Sequence, residues 1–277
     1  MHKGESTTYC VQGNIGENER CLSQIQLLGV RFDNVTIAEA ADCIEEFIRG
    51  RRPSKVLSRN ATIRVLEDQN PALHQFYATS DLVTVDGMAF VYLGRLLGRP
   101  FKEMTGGPFL WYEVLRRAAT KGYGVFLLGA RQVTLENAVE RLNRQYPGLR
   151  IVGFQHGYFT AQEETQVVET IRSSHPDILM VGMSSPLKEE FLERNLDRLD
   201  VPACIGVGGA IDVFAGVSRL APVWMRKACL EWLYRVWQEP RRLWKRYLFS
   251  HARFLLLVGR ELMVREPKHF RKAPNIR

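Results

Sequence analysis

"LVTVDGMAF", residues 82–90, is the stretch on which the reading of this chain turns. Leu82, Val83, Thr84 and Val85 are apolar or β-branched, the composition of a buried strand. The run ends in Asp86-Gly87, and an apolar helical pattern begins at once with Met88. A buried strand passing to a helix through so short a junction is the unit from which parallel α/β sheets are made.

The same alternation extends in both directions, over residues 25–218. "IQLLGVRF" (25–32) reads as a strand and "TIAEAADCIEEFIRG" (36–50) as an amphipathic helix closed by Gly50. "KVLSRN" (55–60) is a short strand, followed by helical residues 61–80 with a break at Pro71. Beyond the opening stretch come a helix in 107–122, a strand in 123–130, a helix in 134–148 and a strand in 150–159. A helix in 163–175, a strand in 177–183, a helix in 187–199 and "ACIGVGGAIDVFAG" (203–216), a strand with a glycine turn and helix start, complete the series. Parallel neighbours need crossovers, so the expectation is a Rossmann-like, mostly parallel sheet with helices on both faces. Residues 1–24 are polar and Gly-rich and read as a loose leader.

From residue 219 the alternation gives way to helix after helix, bounded by Pro222, Pro240 and Pro267. The formal charge of the chain is +8, but residues 219–277 hold 15 Lys/Arg against 4 Asp/Glu, a net +11, leaving −3 for the remainder. Trp224, Trp232, Trp237 and Trp244 stand among these cations. Interleaved rings and cations suit an anionic lipid interface, with a helical cap on the sheet as the alternative. No stretch approaches the apolar length of a membrane-spanning helix. The five cysteines, Cys10, Cys21, Cys43, Cys204 and Cys229, are scattered, with no CxxC pair, so neither a disulfide framework nor a zinc site is indicated. A reducing cytoplasm is the simplest compartment. Cys204 and Cys229 read as buried small hydrophobes, and His156 as a turn residue.

Ligands of open α/β sheets bind at the C-terminal ends of the strands. There the chain places Ser58 and Asn60, Asp86, Gly129-Ala130, Lys188 and Glu189, and Gly208-Gly209. The glycine exits would let a phosphate approach backbone N–H groups at a helix start, although glycine there also serves tight turns. No GxGxxG follows the first strand, which disfavours a nicotinamide dehydrogenase. No DxD-type carboxylate pair accompanies Asp86, so a cation site is not indicated. Asp86 itself is either a helix N-cap or a functional carboxylate.

Four stretches in order, "TVDGMAFVYLGRLLGRPFKEMTGGPFL" (84–110), "VFLLGARQVTLENAVERL" (125–142), "DILMVGMSSPLKEEFLERN" (177–195) and "GVGGAIDVFAGVSRLAPVWMRKACLEWLYRVWQEPRRLWKRYL" (206–248), resemble the WecG/TagA/CpsF family of bacterial glycosyltransferases. The resemblance implies transfer of a hexosyl or N-acetylmannosaminyl-type group from a UDP-sugar to a polyprenyl-diphosphate-linked saccharide in cell-surface polysaccharide assembly, without metal or other cofactor. It puts the general base on Asp86, with Ser58 and Asn60 at the neighbouring motif. Gly129, Ala130, Lys188, Glu189, Gly208, Gly209, Arg235, Arg241 and Arg242 fall to the donor. Lys188 stands where the family carries Gln, and no Arg precedes Thr105-Gly106. One base and no nucleophile point to inversion at C1. The implied setting is cytoplasmic, peripheral on the inner face of the plasma membrane, with residues 219–277 serving as active-site cover and lipid anchor; homo-oligomerisation is compatible with it. A nucleic-acid-binding α/β protein using the basic tail, or a nucleotide-sugar-binding protein without catalysis, are the rival readings.

Overall fold

The computed structural model describes residues 8–10 and 21–264. The centre is a six-stranded sheet, all of whose pairings are parallel. Its strands are β4 (Ser54–Arg59), β5 (Leu82–Val85), β6 (Gly124–Gly129), β7 (Arg150–Gln155), β8 (Ile178–Gly182) and β9 (Ala203–Gly206), laid out in the order β5-β4-β9-β8-β6-β7. Side chains alternate between two cores. Val125 and Leu127 enter one with α1 (Ile37–Gly50), α5 (Pro108–Lys121), α6 (Gln132–Gln145) and α9 (Ala210–Phe214). Phe126 and Leu128 enter the other with α2 (Ala61–Gln69), α3 (Pro71–Ala78), α7 (Ala161–Ser173) and α8 (Leu187–Leu199). Burial on both faces is why these strands read as continuous apolar runs. The α/β expectation holds.

Local signals account for the helix boundaries. Thr36 and Glu39 form a reciprocal capping box at the start of α1. The break expected at Pro71 separates α2 from α3, where the Asn70 side chain accepts from Leu73 N–H and Pro71 opens the new helix.

The reading of residues 25–32 as one strand is corrected. They form a hairpin of β2 (Cys21–Leu27) and β3 (Val30–Asp33), antiparallel, with β1 (Thr8–Cys10) on its outer edge. Leu28 and Gly29 both have positive φ, 52° and 74°, the backbone of a two-residue primed turn. The hairpin is fastened to the sheet by Asp33, whose Oδ2 accepts from Val83 N–H at 2.7 Å. Burial raises the Asp33 carboxyl, against the pull of Arg31.

Beyond β9 the chain is helical: α10 (Val223–Lys227), α11 (Glu231–Gln238) and α12 (Pro240–Val264). α12 returns to lie on α2, with Ser250 Oγ 3.3 Å from Thr62 Oγ1. Its Phe254 stacks edge-on against Phe90 of α4 (Met88–Leu96) at 5.2 Å and enters a third core shared with the hairpin.

At the tip of β4 a buried guanidinium joins these layers. Arg59, 1% exposed, donates from Nε and Nη2 to the two carboxylate oxygens of Glu67 on α2 at 2.8 and 2.7 Å. It also donates to the Arg31 carbonyl of the hairpin, and lies over the rings of Phe32 and Tyr77. Removing one partner of such a pair strands the other charge in the core. Glu67→Gln is therefore expected to lower unfolding free energy by about 3–5 kcal/mol, read by urea titration. Combining it with Arg59→Met should recover part of that loss.

Candidate active site

Asp86 follows the last residue of β5 and is held from three sides. Its N–H donates to the Arg59 carbonyl at 2.9 Å, and its Oδ2 accepts from Asn60 Nδ2 at 3.1 Å. On the third side, Gly106 N–H donates to the Val85 carbonyl at 2.6 Å. A Cβ on Gly106 would fall 2.3 Å from Asp86 Cβ, and one on Gly107 would fall 3.3 Å from Asp86 Oδ1. The glycine pair is thus what lets the 97–107 connection press against the carboxylate. α4 is capped by Gly87, at φ 89°, with no side-chain cap bond. Asp86 is not spent on capping. Asn60 performs that task for α2, accepting from Ile63 N–H through Oδ1 while its amide holds Asp86.

Asp86 opens onto a cleft of about 750 Å³ across the C-terminal ends of β4, β5, β8 and β9. Ser58, Asn60, Asp86, Ala130, Lys188, Gly208, Gly209 and Arg235, all expected from sequence, line it together. Ser58 Oγ is 2.9 Å from Thr84 Oγ1. Gly209 begins α9, and a Cβ there would have Arg235 Nη1 among its nearest neighbours, at 4.0 Å. The guanidinium from α11 therefore lies over the glycine turn of β9. Burial opposes its charge, but Tyr247, Glu231 and Asp86 outweigh that and raise its pKa. Glu231, 3.6 Å from Arg235, has its carboxyl raised by burial and then by the charge of Asp86, against Arg235 and Arg226.

Other expected residues stand elsewhere. Gly129 is not on the cleft wall: at φ 134°, its missing Cβ would lie 2.5 Å from the Gly182 backbone, so glycine here permits two strand ends to approach. Glu189 is 2% exposed and faces inward, where Oε1 accepts from Ser185 Oγ at 2.8 Å, Tyr77 Oη at 3.1 Å and Lys188 Nζ. Burial raises the Tyr77 pKa well above its ordinary value, which keeps it a neutral donor. Glu189 Oε2 is buried without a partner. Arg241 is exposed and outside the cleft wall, and the side chain of Arg242 lies outside the described residues. His156 has its turn role, its Nδ1 accepting from Tyr158 N–H. Cys204 is fully buried and its thiol pushed up to about 12 by desolvation. Cys229 departs from the buried expectation: it is half-buried, with φ 59°. Among the described residues no three His, Cys, Asp or Glu side chains are grouped to hold a metal ion.

A second, smaller notch of about 110 Å³ adjoins the cleft. Asn60, Thr62, Asp86, Arg235 and Tyr247 belong to the walls of both, so the two spaces meet at Asp86. The notch adds the first turn of α4 and, from the C-terminal helices, Arg226, Cys229, Glu231, Trp232 and His251. Trp232 and His251 have ring centroids 4.8 Å apart, and Tyr247 completes a three-ring cluster. The sequence marks Trp232 only as one of four tail tryptophans and Cys229 only as a small hydrophobe, and does not single out Arg226, Glu231, Tyr247 or His251. The i, i+4 pairs Glu231/Arg235 and Tyr247/His251 were the available signal, each placing two polar groups on one helix face.

Comparison with known proteins agrees with this geometry. The profile of the glycosyl transferase WecG/TagA/CpsF family matches residues 25–268. A protein of Bacillus spizizenii, an N-acetylglucosaminyldiphosphoundecaprenol N-acetyl-β-D-mannosaminyltransferase, is 31% identical over 193 residues, covering 70% of this chain and 74% of its own. A protein of the same name from Staphylococcus aureus is 30% identical over 223 residues, covering 80% and 87%. A parallel sheet with an unspent carboxylate at a strand tip, faced by an arginine from the C-terminal helices, and a family match over most of the length lead to one assignment: the chain belongs to the WecG/TagA/CpsF family and is a glycosyltransferase.

Proposed function

We propose that the protein transfers an N-acetylmannosaminyl-type or other hexosyl group from a UDP-sugar to a polyprenyl-diphosphate-linked saccharide, with inversion at C1. The observation that carries this reading is the meeting of Asp86 and Arg235 in one cleft. In the reaction an acceptor hydroxyl attacks C1 of the donor sugar as the bond from C1 to the UDP oxygen breaks. Asp86 takes the hydroxyl proton. Asn60 holds Asp86 Oδ2, which orients the carboxylate toward the acceptor. The leaving diphosphate gains charge; Arg235, Lys188 and the backbone of Gly208-Gly209 are the groups offered to it. The names of the relatives support the acceptor class and favour N-acetylmannosamine as the sugar.

The division of labour we assign to residues 219–277 is to close the cleft and to hold the enzyme on the cytoplasmic face of the membrane, where a lipid-linked acceptor resides. Among the described residues no helix is long and apolar enough to cross a membrane. α12 instead exposes Leu248, Phe249, Leu255, Leu256, Leu262 and Met263, which recur every seven residues as a stripe along one face. Arg253 and Arg260 are exposed along its border. An apolar stripe edged by cations suits an anionic lipid surface.

Three outcomes are expected. Asp86→Asn should lower transfer about 10²–10⁴-fold while leaving UDP affinity intact; wild-type turnover would remove Asp86 as base. Gly209→Val should fold, because the nearest atoms to the new Cβ, Arg235 Nη1 and Asp212 Oδ2, are at 4.0 Å, an ordinary contact, and φ is −77°, yet bind UDP more weakly in calorimetry. Unchanged affinity would make the turn purely structural. Leu255→Ser with Leu256→Ser should reduce co-sedimentation with phosphatidylglycerol vesicles and leave UDP binding alone. Undiminished sedimentation would take lipid docking away from α12.

A further inference from the structure

The notch beside Asp86 is not needed by a nucleotide sugar, and the larger cleft already offers the groups a diphosphate donor requires. This inference rests on the proposed reaction and goes on to say where the second substrate lies. In an inverting displacement the attacking oxygen and the leaving group stand on opposite sides of C1, and the base must touch the attacking oxygen. With the donor in the cleft, the acceptor has to reach Asp86 from a space that borders the carboxylate without coinciding with the donor's. The notch borders Asp86 in that way, and the two spaces join there.

Its walls are furnished for a particular chemistry. Trp232 and His251 present adjoining rings, and the C–H face of a pyranose packs against such a surface while its hydroxyls stay free for polar groups. Glu231 supplies a partly buried carboxyl group able to accept from those hydroxyls. Arg226 lies over the Phe109 ring at 4.7 Å, and its Nε is buried with no hydrogen-bond partner. A guanidinium with an unmet N–H, held in place by a ring, is a fit for phosphate oxygens. The lipid also has a way out. Tyr247 and His251 line the notch from α12, and Leu248 and Leu255 are their neighbours one and four positions on, at the edge of the exposed apolar stripe.

We propose that this notch is the acceptor subsite, with the Trp232–His251 rings carrying the acceptor's sugar, Arg226 its diphosphate, and the apolar stripe of α12 the start of its prenyl chain. The notch is walled on one side by α2 and the β5–α4 junction and on the other by α10–α12, so acceptor recognition and lipid docking share the C-terminal helices.

The test uses the full-length protein with saturating UDP in the donor cleft. Binding is titrated with two probes: a short-chain prenyl-diphospho-N-acetylglucosamine, and octyl N-acetylglucosaminide, which has no phosphate. Arg226→Gln should weaken the diphosphate probe about tenfold or more, the worth of a charged hydrogen bond, and leave the octyl glycoside unchanged. Trp232→Leu should weaken both. UDP affinity, measured alone, should stay at the wild-type value in each variant, which also reports that the fold is intact. Arg226→Lys, which keeps the charge and loses the fork, should fall between wild type and Gln. The proposal is overturned if both probes bind the variants as they bind wild type, or if Arg226→Gln weakens UDP as much as the prenyl-diphospho probe, since that would put the arginine on the donor. Failure of the wild type to transfer sugar would count against the proposed reaction alone, because probe binding is read without turnover.

Discussion

The structure depends on the buried guanidinium of Arg59. Three parts of the molecule end on this one side chain: α2 through the Glu67 carboxylate, the hairpin through the Arg31 carbonyl and the Phe32 ring, and α3 through the ring of Tyr77. Its own carbonyl receives the N–H of Asp86. A charge of this kind is tolerated in a core only when geometry satisfies it, so the ion pair fixes its surroundings more than it adds net stability. Arg59 holds the tips of β4 and β5 in register at the place where the carboxylate must stand still. Tyr77 extends the constraint by donating to Glu189, which in turn receives Lys188 from the cleft floor. The polar groups of the site thus rest on a continuous buried network, which holds the side chains at these strand ends in fixed positions.

The other half of the site comes from outside the sheet. Arg235 arrives on α11, close to the glycine turn of β9, and its charge is supported by Glu231, Tyr247 and Asp86. α12 holds that helix in place by burying Phe254 in the third core and contacting α2 through Ser250. The helix has two apolar faces: one is spent on the protein, while the other, with Leu255 and Met263, remains outside. Soluble helices ordinarily carry one such face.

Much of this was legible in the residues. Alternation of apolar runs with helical spacing led to the parallel sheet, because strands buried on both faces cannot be written any other way. Asp86 stood out because a carboxylate interrupted an apolar handover, and the structure gives the cap to Gly87 and leaves that carboxylate to Asn60. What escaped depended on contacts between distant segments. Residues 25–32 hid a hairpin, since Leu28-Gly29 lacks the Asn or Asp that usually marks such a turn. Gly129 read as a phosphate turn because glycine at a strand exit has the same appearance whether a ligand or another backbone, here Gly182, comes close. Arg226, Trp232 and His251 sat among many cations and rings, and only the fold of α10–α12 separates those turned toward Asp86 from those turned to solvent.

Arg235 follows every strand of the sheet in the chain, and so do α11 and α12. A ribosome therefore makes all six strands and Asp86 before it makes the cation that faces that carboxylate. Until α11 docks, the sheet carries the Asp86 carboxylate and the Gly208-Gly209 turn with no guanidinium above them, so the cleft is incomplete without the last helices. The order of synthesis thereby ties completion of the cleft to the segment for which we propose lipid docking.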